Sequence, residues 1–147
     1  NSEFIMLTPQ GEPYTQKTSI ELSKKSQLIF LCGRYEGFDE RIRIGLNPRE
    51  ISLGDYILTG GELGALCIMD SISRHLDGFL NKEESSKNDS FSESLNGRLE
   101  HPQYTKPREY RGMKVPDVLL DGNHAEIEKF RTEQSLLRTK IRRPDLV

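Results

Sequence analysis

The sequence lacks the signatures of several common sites and compartments. Its two cysteines, Cys32 and Cys67, lie in separate apolar runs without a C-x-x-C pair, and its three histidines are scattered along the chain. This distribution is typical of reduced, buried thiols and argues against a zinc site. No apolar run approaches the ~18 residues of a membrane span, and no signal peptide is visible. We therefore expect no bound metal, no membrane partner and a cytoplasmic protein.

Motifs of the large nucleotide-binding and hydrolase families are also missing. The stretch "LTGGELGA" places Gly60, Gly61 and Gly64 between a predicted strand and a predicted helix, but their spacing is not the G-x-G-x-x-G of dinucleotide-binding folds. Neither the P-loop pattern nor the G-x-S-x-G nucleophile elbow occurs. Formal net charge is only -2 while 30% of residues are charged, so the distribution of charge matters more than its sum.

The first half of the chain alternates predicted strands with predicted helices. Its strands read as short, nearly continuous apolar runs, which is typical of strands buried on both faces. This order predicts an α/β domain with a parallel sheet. The predicted strands cover residues 3–8, 28–32 and 51–59, and the predicted helices cover 15–26 and 62–76, with a helix or turn over 38–46.

Composition changes sharply after Leu80. Residues 81–94 are rich in serine and nearly free of apolar side chains, which predicts a flexible linker. The next stretch is punctuated by three prolines and reads as extended. We therefore divide the chain into a domain over residues 1–80, a linker over 81–94 and a second domain over 95–147.

The second domain is predicted to contain one long helix. Asn123 and Glu126 have capping-box spacing at its start, and Pro144 marks its end. Four apolar residues are expected to form its buried stripe, namely Ile127, Phe130, Leu137 and Ile141. We therefore expect a small helical domain at the end of the chain.

Each of the three predicted strands ends in a turn rich in glycine or proline. These turns are "LTPQG", "LCGRYEG" and "LTGG". The carboxyl ends of parallel strands meet at one edge of the sheet, where open α/β folds bind ligands. Glycine allows backbone groups to approach such a ligand closely. The three turns therefore predict a binding crevice, although the same glycines also suit tight turns without any ligand.

Several charged residues allow two interpretations. Arg74 lies between Asp70 and Asp77 at helical spacing, which favours a surface ion pair, and Asp89 in the linker can be an ordinary solvated acid. Residues 129–143 carry six basic side chains against one acid, Glu133. That excess favours contact with phosphates, but it also fits a solvated helix face.

Longer stretches of the sequence resemble one known family. They are "LTPQG", "CGRYEGFDERI", "ISLGDYILTGGELGAL", "MDSISR", "NDSF", "HPQYTKP", "MKVPDVLLDGNHAEI" and "RTEQSLLRT…RRPDL". Together and in this order they resemble the bacterial tRNA (guanine-N1)-methyltransferases, which belong to the trefoil-knot (SPOUT) class of RNA methyltransferases. The resemblance runs from about Phe4 to Val147.

The resemblance implies a fold and a cofactor. The expected fold is a parallel α/β sheet with a deep trefoil knot, followed by a flexible linker and a small helical C-terminal domain. The cofactor would be S-adenosylmethionine, held bent in the knot loops. The matching positions are Thr8, Pro9, Gly33, Tyr35, Glu36, Leu53, Gly54, Asp55, Tyr56, Ile57, Leu58, Gly60 and Gly61.

The resemblance also implies a reaction and partners. A methyl group would pass to N1 of the guanine on the 3′ side of the anticodon, with Asp89 as general base and Arg74 stabilising charge on O6. The active site would lie at the interface of a homodimer. The anticodon branch of tRNA would be held by Lys129, Arg131, Arg138, Arg142 and Arg143. The residues do not decide whether magnesium assists.

The chain resembles a family member without the first strands and helix and without the extreme C-terminus, so we expect a fragment.

Two other functional classes remain open at this stage. A non-catalytic nucleotide- or RNA-binding module would keep the glycine crevice and the basic helix but assign no chemistry to Asp89 or Arg74. A Rossmann-like oxidoreductase would bind NAD instead of S-adenosylmethionine.

Overall fold

A computed structural model describes residues 2–79 and 88–147, which fall into two compact units. The first unit contains β1 (Ser2–Pro13), α1 (Gln16–Leu22), β2 (Gln27–Leu31), α2 (Glu40–Leu46), β3 (Arg49–Ser52) and α3 (Glu62–Ser73). The second contains β4 (Glu109–Tyr110), β5 (Met113–Lys114), a 3-10 turn at Asp117–Leu119, α4 (His124–Arg142) and a 3-10 turn at Pro144–Leu146. The part of the predicted linker from 81 to 87, together with residue 80 before it, lies outside the described residues.

The first unit is built on a three-stranded sheet in the order β2-β1-β3, with both pairings parallel. This confirms the predicted α/β class and parallel sheet. Ile5 of the central strand pairs with Phe30 on one side and with Arg49 on the other. Ile5, Leu22 and Ile68 are fully buried in one apolar cluster, so β1, α1 and α3 share a core.

Two of the predicted strand boundaries were wrong. The first strand does not stop at Thr8 but continues to Pro13, because the chain loops out and then resumes pairing with β3. The third strand is shorter than 51–59 and ends at Ser52, since the residues after it turn away from the sheet. Strand pairing, which apolar content alone does not reveal, sets both limits.

An ionic cluster connects three elements of the first unit. Arg49 at the start of β3 donates to Glu21 of α1 at 2.8 Å and to Glu12 of β1 at 2.5 Å, and it lies 3.4 Å from Glu3. The hydrogen bond that Arg49 donates to Glu21 raises the pKa of Arg49. Lys25 pairs with Glu3 at 2.6 Å and extends the cluster. These charges fix the start of β3 against β1 and α1.

Helix α3 has one buried side and one exposed apolar side. Ala65, Ile68 and Ile72 are buried, whereas Leu63 and Leu66 are more than half exposed. Ile72 packs in the core and so does not belong to the outward apolar surface of the helix. The remaining surface of exposed apolar side chains is formed by Leu63, Leu66 and Met69.

The second unit is organised around α4. Asn123 caps this helix by accepting the amide of Ala125 at 3.2 Å, and the helix ends at Arg142 before Pro144, as predicted. The buried stripe differs from the prediction, because Leu137 and Ile141 are exposed. The fully buried positions are instead two hydroxyl residues, Ser135 and Thr139.

The extended stretch before α4 contains a small hairpin that the sequence did not reveal. Glu109 pairs with Lys114 and Tyr110 with Met113 in an antiparallel ladder. The turn between them is Arg111–Gly112, and both residues have positive φ, at 51° and 78°. Two-residue hairpin turns require this geometry, but Arg-Gly is a weaker signal for it than Asn-Gly.

Candidate functional site

The first wall of the candidate site is the part of β1 that loops out of the sheet. Leu7 and Glu12 both pair with Ile51, so the four residues between them form a bulge. Gly11 closes this bulge against β3, where an added Cβ would lie 2.5 Å from the carbonyl carbon of Glu50 and closer still to the amide nitrogen of Ile51. Only glycine fits this approach of two backbones. The bulge turns Thr8 and Pro9 towards the carboxyl edge of the sheet.

The second wall is the turn after β2. Tyr35 has a left-handed backbone with φ of 57° and is almost fully exposed, at 99%. The turn closes through the amide of Gly37, which donates to the carbonyl of Arg34 at 3.1 Å. The ring of Phe38 folds back over Gly33, where a Cβ would lie 2.8 Å from a ring carbon.

The third wall follows β3 and is also held by local hydrogen bonds. The amide of Gly54 donates to the Ser52 hydroxyl at 3.2 Å, and the amide of Tyr56 donates to the Gly54 carbonyl at 2.9 Å. Gly54 has φ of 153°, and a Cβ there would lie 2.8 Å from the ring of Tyr56. Gly54 lies outside the strand, so its backbone conformation and the Tyr56 ring require glycine here.

The second and third walls are bonded to each other. The amide of Gly61 donates to the carbonyl of Gly33 at 3.0 Å, and Arg34 and Gly60 form an antiparallel bridge. A Cβ on Gly61 would lie 2.8 Å from the Cα of Cys32, so this contact depends on glycine. The start of α3 is thereby placed directly beside the end of β2.

The three walls enclose one cleft of about 540 Å³. Twelve of the thirteen positions predicted for the cofactor line it, and Asp55 does not. Residues that the prediction missed also contribute, namely Leu7, Gln10, Arg34, Gly37, Phe38, Glu40, Arg43, Ile51, Ser52, Thr59 and Gly64.

Charges around the cleft are mostly paired. Arg34 donates to Glu62 at 2.8 Å, and Arg43 bonds Glu40 and, at 2.9 Å, Glu50. A hydrogen bond to its own backbone amide and the bond from Arg34 lower the pKa of Glu62. Within the described residues Glu36 makes no ion pair, so its carboxylate is the charge at the cleft that no cation offsets.

The thiol behind the cleft is poorly suited to chemistry at neutral pH. Burial raises the pKa of Cys32, and the Glu62 carboxylate raises it further. A thiol is nucleophilic only as the thiolate. Cys32, which does not line the cleft, is therefore not a candidate nucleophile there.

The two predicted catalytic residues belong to different units. Arg74 follows α3 as its C-terminal cap, with an exposed side chain and an amide that donates to Asp70 at 3.3 Å. Asp89 is half-buried in a turn of the second unit, where its carbonyl accepts the amide of Ser92 at 3.1 Å. The flexibility predicted for the linker stays a prediction, but residues 88–94 form defined turns.

The five predicted RNA-binding residues do not form one uniform face. Arg131 pairs with Glu128 at 2.7 Å and Arg143 with Asp145 at 2.6 Å. Within the described residues Lys129, Arg138 and Arg142 make no ion pair. At 3.6 residues per turn, Lys129 points away from the side that Arg138 and Arg142 share. The basic character of α4 is therefore divided over two sides.

Residues 2–79 and 88–147 contain neither a cluster of metal-ligating side chains nor a membrane-spanning helix. No three His, Cys, Asp or Glu side chains there come close enough to hold a metal ion. None of the helices in those ranges combines the length and apolarity needed to cross a bilayer.

Comparison with known proteins gives consistent matches over the whole chain. The sequence profile described as tRNA (Guanine-1)-methyltransferase TrmD matches residues 1–147. A tRNA (guanine-N(1)-)-methyltransferase from Anoxybacillus flavithermus is 59% identical over 97% of this chain and 57% of its own length. The proteins of that name from Geobacillus kaustophilus and Staphylococcus aureus are 58% and 54% identical, each over 99% of this chain and over 59% and 58% of their own lengths.

The chain thus spans less than two thirds of the length of these relatives. Its cleft is lined by the stretches "LTPQ", "GRYEG" and "YILTGG", which lie within the motifs that carried the resemblance in the sequence. Because the sequence identity to these relatives exceeds 50% and the profile matches residues 1–147, this chain belongs to the tRNA (guanine-N1)-methyltransferase family.

Proposed function

We propose that a protein of the family's full length containing this chain, called here the family-length protein, methylates N1 of the guanine on the 3′ side of the anticodon in tRNA. The observation that carries the proposal is the cleft, because three separate glycine-bearing segments of the family's sequence form its walls. The names of the relatives support the same reaction. The site of action would be the cytoplasm.

The cleft fits S-adenosylmethionine in size and in chemistry. A volume of about 540 Å³ lies within the usual range for small-molecule pockets. Gly33, Gly60 and Gly61 present backbone groups without side chains, and the unpaired Glu36 carboxylate offers a partner for the ammonium group. When bound, S-adenosylmethionine supplies an electrophilic methyl group on a sulfonium centre.

Asp89 is proposed to take the proton from N1 of the guanine. N1 is a poor nucleophile while it carries a proton, so a carboxylate within hydrogen-bond reach increases its reactivity as general base. The target base must leave the stack of the anticodon loop to reach such a group, at a cost of a few kcal/mol. Proton removal by Asp89 would therefore follow the flipping of the guanine out of the loop.

Arg74 is proposed to stabilise the charge that develops on O6 as N1 loses its proton. A guanidinium held at this oxygen is worth more in the transition state than in the ground state. Arg74 belongs to the first unit and Asp89 to the second, so the proposal requires both units to act on one guanine.

Phosphate contacts are proposed for the basic side chains of α4. Lys129, Arg138 and Arg142 are available, whereas Arg131 and Arg143 would first exchange a carboxylate partner for a phosphate. The anticodon branch of tRNA is the expected ligand. Favourable phosphate contacts would offset part of the cost of base flipping.

The proposal includes two finer features of the fold. The first is a trefoil knot in the first unit, which the resemblance implies; the tight contact between Gly61 and the end of β2 is compatible with it. The second is a homodimer with the active site at the subunit interface. Its support is the exposed apolar surface of α3, formed by Leu63, Leu66 and Met69.

The dimer can be tested at Leu66, whose side chain is 58% exposed and so is not needed for the core of one subunit. We expect Leu66→Glu to weaken dimerisation of the family-length protein by at least ~100-fold, because the carboxylate would be buried without a partner. Light scattering across a dilution series measures this. An unchanged dimer in a folded Leu66→Glu protein would contradict the proposed interface.

A non-catalytic RNA-binding module is the second candidate function. The separation of Arg74 and Asp89 into different units favours it, because a binding module needs no shared active site. Calorimetry with S-adenosylmethionine and with NAD would separate these functions from a dinucleotide-dependent one. We expect S-adenosylmethionine to bind and NAD not to bind.

The deciding experiment is Asp89→Asn in the family-length protein. The amide keeps the size and most hydrogen bonding of the carboxylate but is not basic. We expect normal binding of S-adenosylmethionine and nearly normal binding of tRNA, with single-turnover methylation slower by ~10²–10⁴-fold. A rate within about threefold of the parent would show that another group removes the proton.

A further inference from the structure

Two hydroxyl groups on α4 hold the backbone of one distant residue. Ser135 donates to the carbonyl of Leu99 at 2.6 Å, and Thr139 accepts the amide of the same residue at 3.1 Å. Thr139 also donates to the carbonyl of Ser135 at 2.7 Å, which fixes its hydroxyl hydrogen. Both polar backbone groups of Leu99 are therefore satisfied by side chains. We call Ser135 and Thr139 the hydroxyl clamp.

The clamp is buried where a helix usually presents apolar side chains. Ser135 and Thr139 are 1% and 0% exposed, while Leu137 and Ile141 on the other side of α4 face solvent. A buried hydroxyl without a partner is destabilising, so such residues are stable in a core only when they are hydrogen-bonded. Their bonding to a single residue makes the clamp specific for the segment that contains Leu99.

The segment held by the clamp is hydrogen-bonded to the turn that contains Asp89. The carbonyl of Arg98 accepts the amide of Phe91 at 2.9 Å, and the amide of Glu100 donates to the hydroxyl of Ser90 at 3.0 Å. Each neighbour of Leu99 is thus bonded to one of the two residues that follow Asp89. A continuous path of hydrogen bonds runs from α4 through residues 98–100 to the Asp89 turn.

The backbone at this turn is strained and held from two directions. Phe91 has φ of 71°, which is rare for a bulky side chain and persists only when the surroundings enforce it. Its amide is bonded to Arg98, and its ring lies 5.8 Å from the guanidinium carbon of Arg143. Strain of this kind next to a chemically active residue is consistent with a turn that is held for function.

We infer that Ser135 and Thr139 are positioning residues for Asp89 and set the placement of the general base. The inference rests on the proposed function. The hydroxyl clamp acts only through the backbone of residues 98–100 and the turn at 89–91. A purely structural role would instead stabilise the second unit without any effect that depends on the carboxylate of Asp89.

The first test uses Thr139→Val in the family-length protein, with hydrogen exchange read at single amides. The valine keeps the branched shape but loses the acceptor for Leu99. We expect exchange at the amides of Leu99 and Phe91 to accelerate by ~10-fold, as the loss of one buried hydrogen bond predicts. Unchanged exchange at Phe91 would overturn the inference, because the turn would then be held without the clamp.

Two further variants control for folding and for hydroxyl chemistry. Thr132 also donates to a carbonyl one turn back, at 2.9 Å, but it is exposed and its bond stays within α4. Thr132→Val is therefore the matched control and should leave Phe91 exchange unchanged. Thr139→Ser keeps the hydroxyl and should restore most of the protection, which also answers any doubt about folding of Thr139→Val.

The second test asks whether the effect passes through Asp89. Thr139→Val should slow single-turnover methylation by ~10-fold or more without changing the affinity for S-adenosylmethionine. In an Asp89→Asn background the same change should have almost no further effect, because the group it positions is already absent. An equal loss of rate in both backgrounds would overturn the inference, as would faster exchange at Phe91 with an unchanged rate.

Failure of the proposed function would give a different result. If the parent family-length protein transferred no methyl group, the catalytic role of Asp89 and its positioning would fall together. The exchange experiment would still decide whether the hydroxyl clamp orders the turn. Rapid exchange at Phe91 in Thr139→Val together with methylation that depends on Asp89 is the result that supports both.

Discussion

The candidate cleft and the Asp89 turn are held by different means. In the first unit, glycines let backbones and side chains approach closely, as at Gly11 against β3 and Gly61 against β2. In the second unit, buried side-chain hydroxyls on α4 hold a segment that has no regular secondary structure. The glycine contacts of the first unit are rigid because no residue larger than glycine fits there. The contacts in the second unit depend on individual hydrogen bonds. The first arrangement suits the proposed cofactor site, and the second suits a turn that is proposed to meet RNA.

The largest effect is expected where two backbones meet. Gly11→Ala would place its Cβ 2.5 Å from the carbonyl carbon of Glu50, and no side-chain rotation can relieve that contact. We expect the free energy of unfolding of the first unit to fall by about 3 kcal/mol, at the upper end of the cost of overpacking. Chemical denaturation followed by circular dichroism measures the change.

Gly45→Ala is the matched control for Gly11→Ala. Gly45 lies in α2, where a Cβ would meet no atom within 4 Å, so alanine should stabilise the helix slightly. If both alanine variants unfolded at the same denaturant concentration as the parent, the rigid glycine contact attributed to the first unit would not exist.

A smaller effect, specific to ligand binding, is expected at Gly54. Gly54→Val combines an unfavourable φ of 153° with a clash against the Tyr56 ring, so the third wall of the cleft should shift. We expect S-adenosylmethionine to bind ~100-fold more weakly, which corresponds to strain of a few kcal/mol, while the core stays folded. Calorimetry with the family-length protein measures the affinity.

Gly45→Val again provides a control, because its position is open and it does not line the cleft. Its affinity for S-adenosylmethionine should equal that of the parent. Unchanged affinity in Gly54→Val would remove the third wall from the proposed cofactor site.

The smallest effect is expected at the edge of the Asp89 turn. Arg143→Gln removes the cation above the Phe91 ring and the pair with Asp145. An exposed cation–π contact contributes roughly 0.5–1 kcal/mol, so exchange at the Phe91 amide without RNA should accelerate by only ~2–5-fold. The neighbouring Arg142→Gln should have no effect, and a larger change there than at Arg143 would contradict this assignment.

The sequence by itself determined the family, the α/β class and the three turns that form the walls of the cleft. Glycine and proline at the ends of three apolar runs indicated the carboxyl edge, and twelve of thirteen predicted cofactor positions line the cleft. This worked because turns at strand ends are local features, and a parallel sheet brings them together by geometry. The cap at Asn123 and the helix end before Pro144 were predictable for the same local reason.

Tertiary structure alone decided the strand limits and the buried face of α4. The continuation of β1 past its bulge depends on pairing with β3, which lies far along the chain. The periodicity of α4 favoured Leu137 and Ile141 as the buried stripe, yet Ser135 and Thr139 are buried instead. A hydroxyl is stable in a core only when a partner is brought to it, and here that partner is the backbone of Leu99.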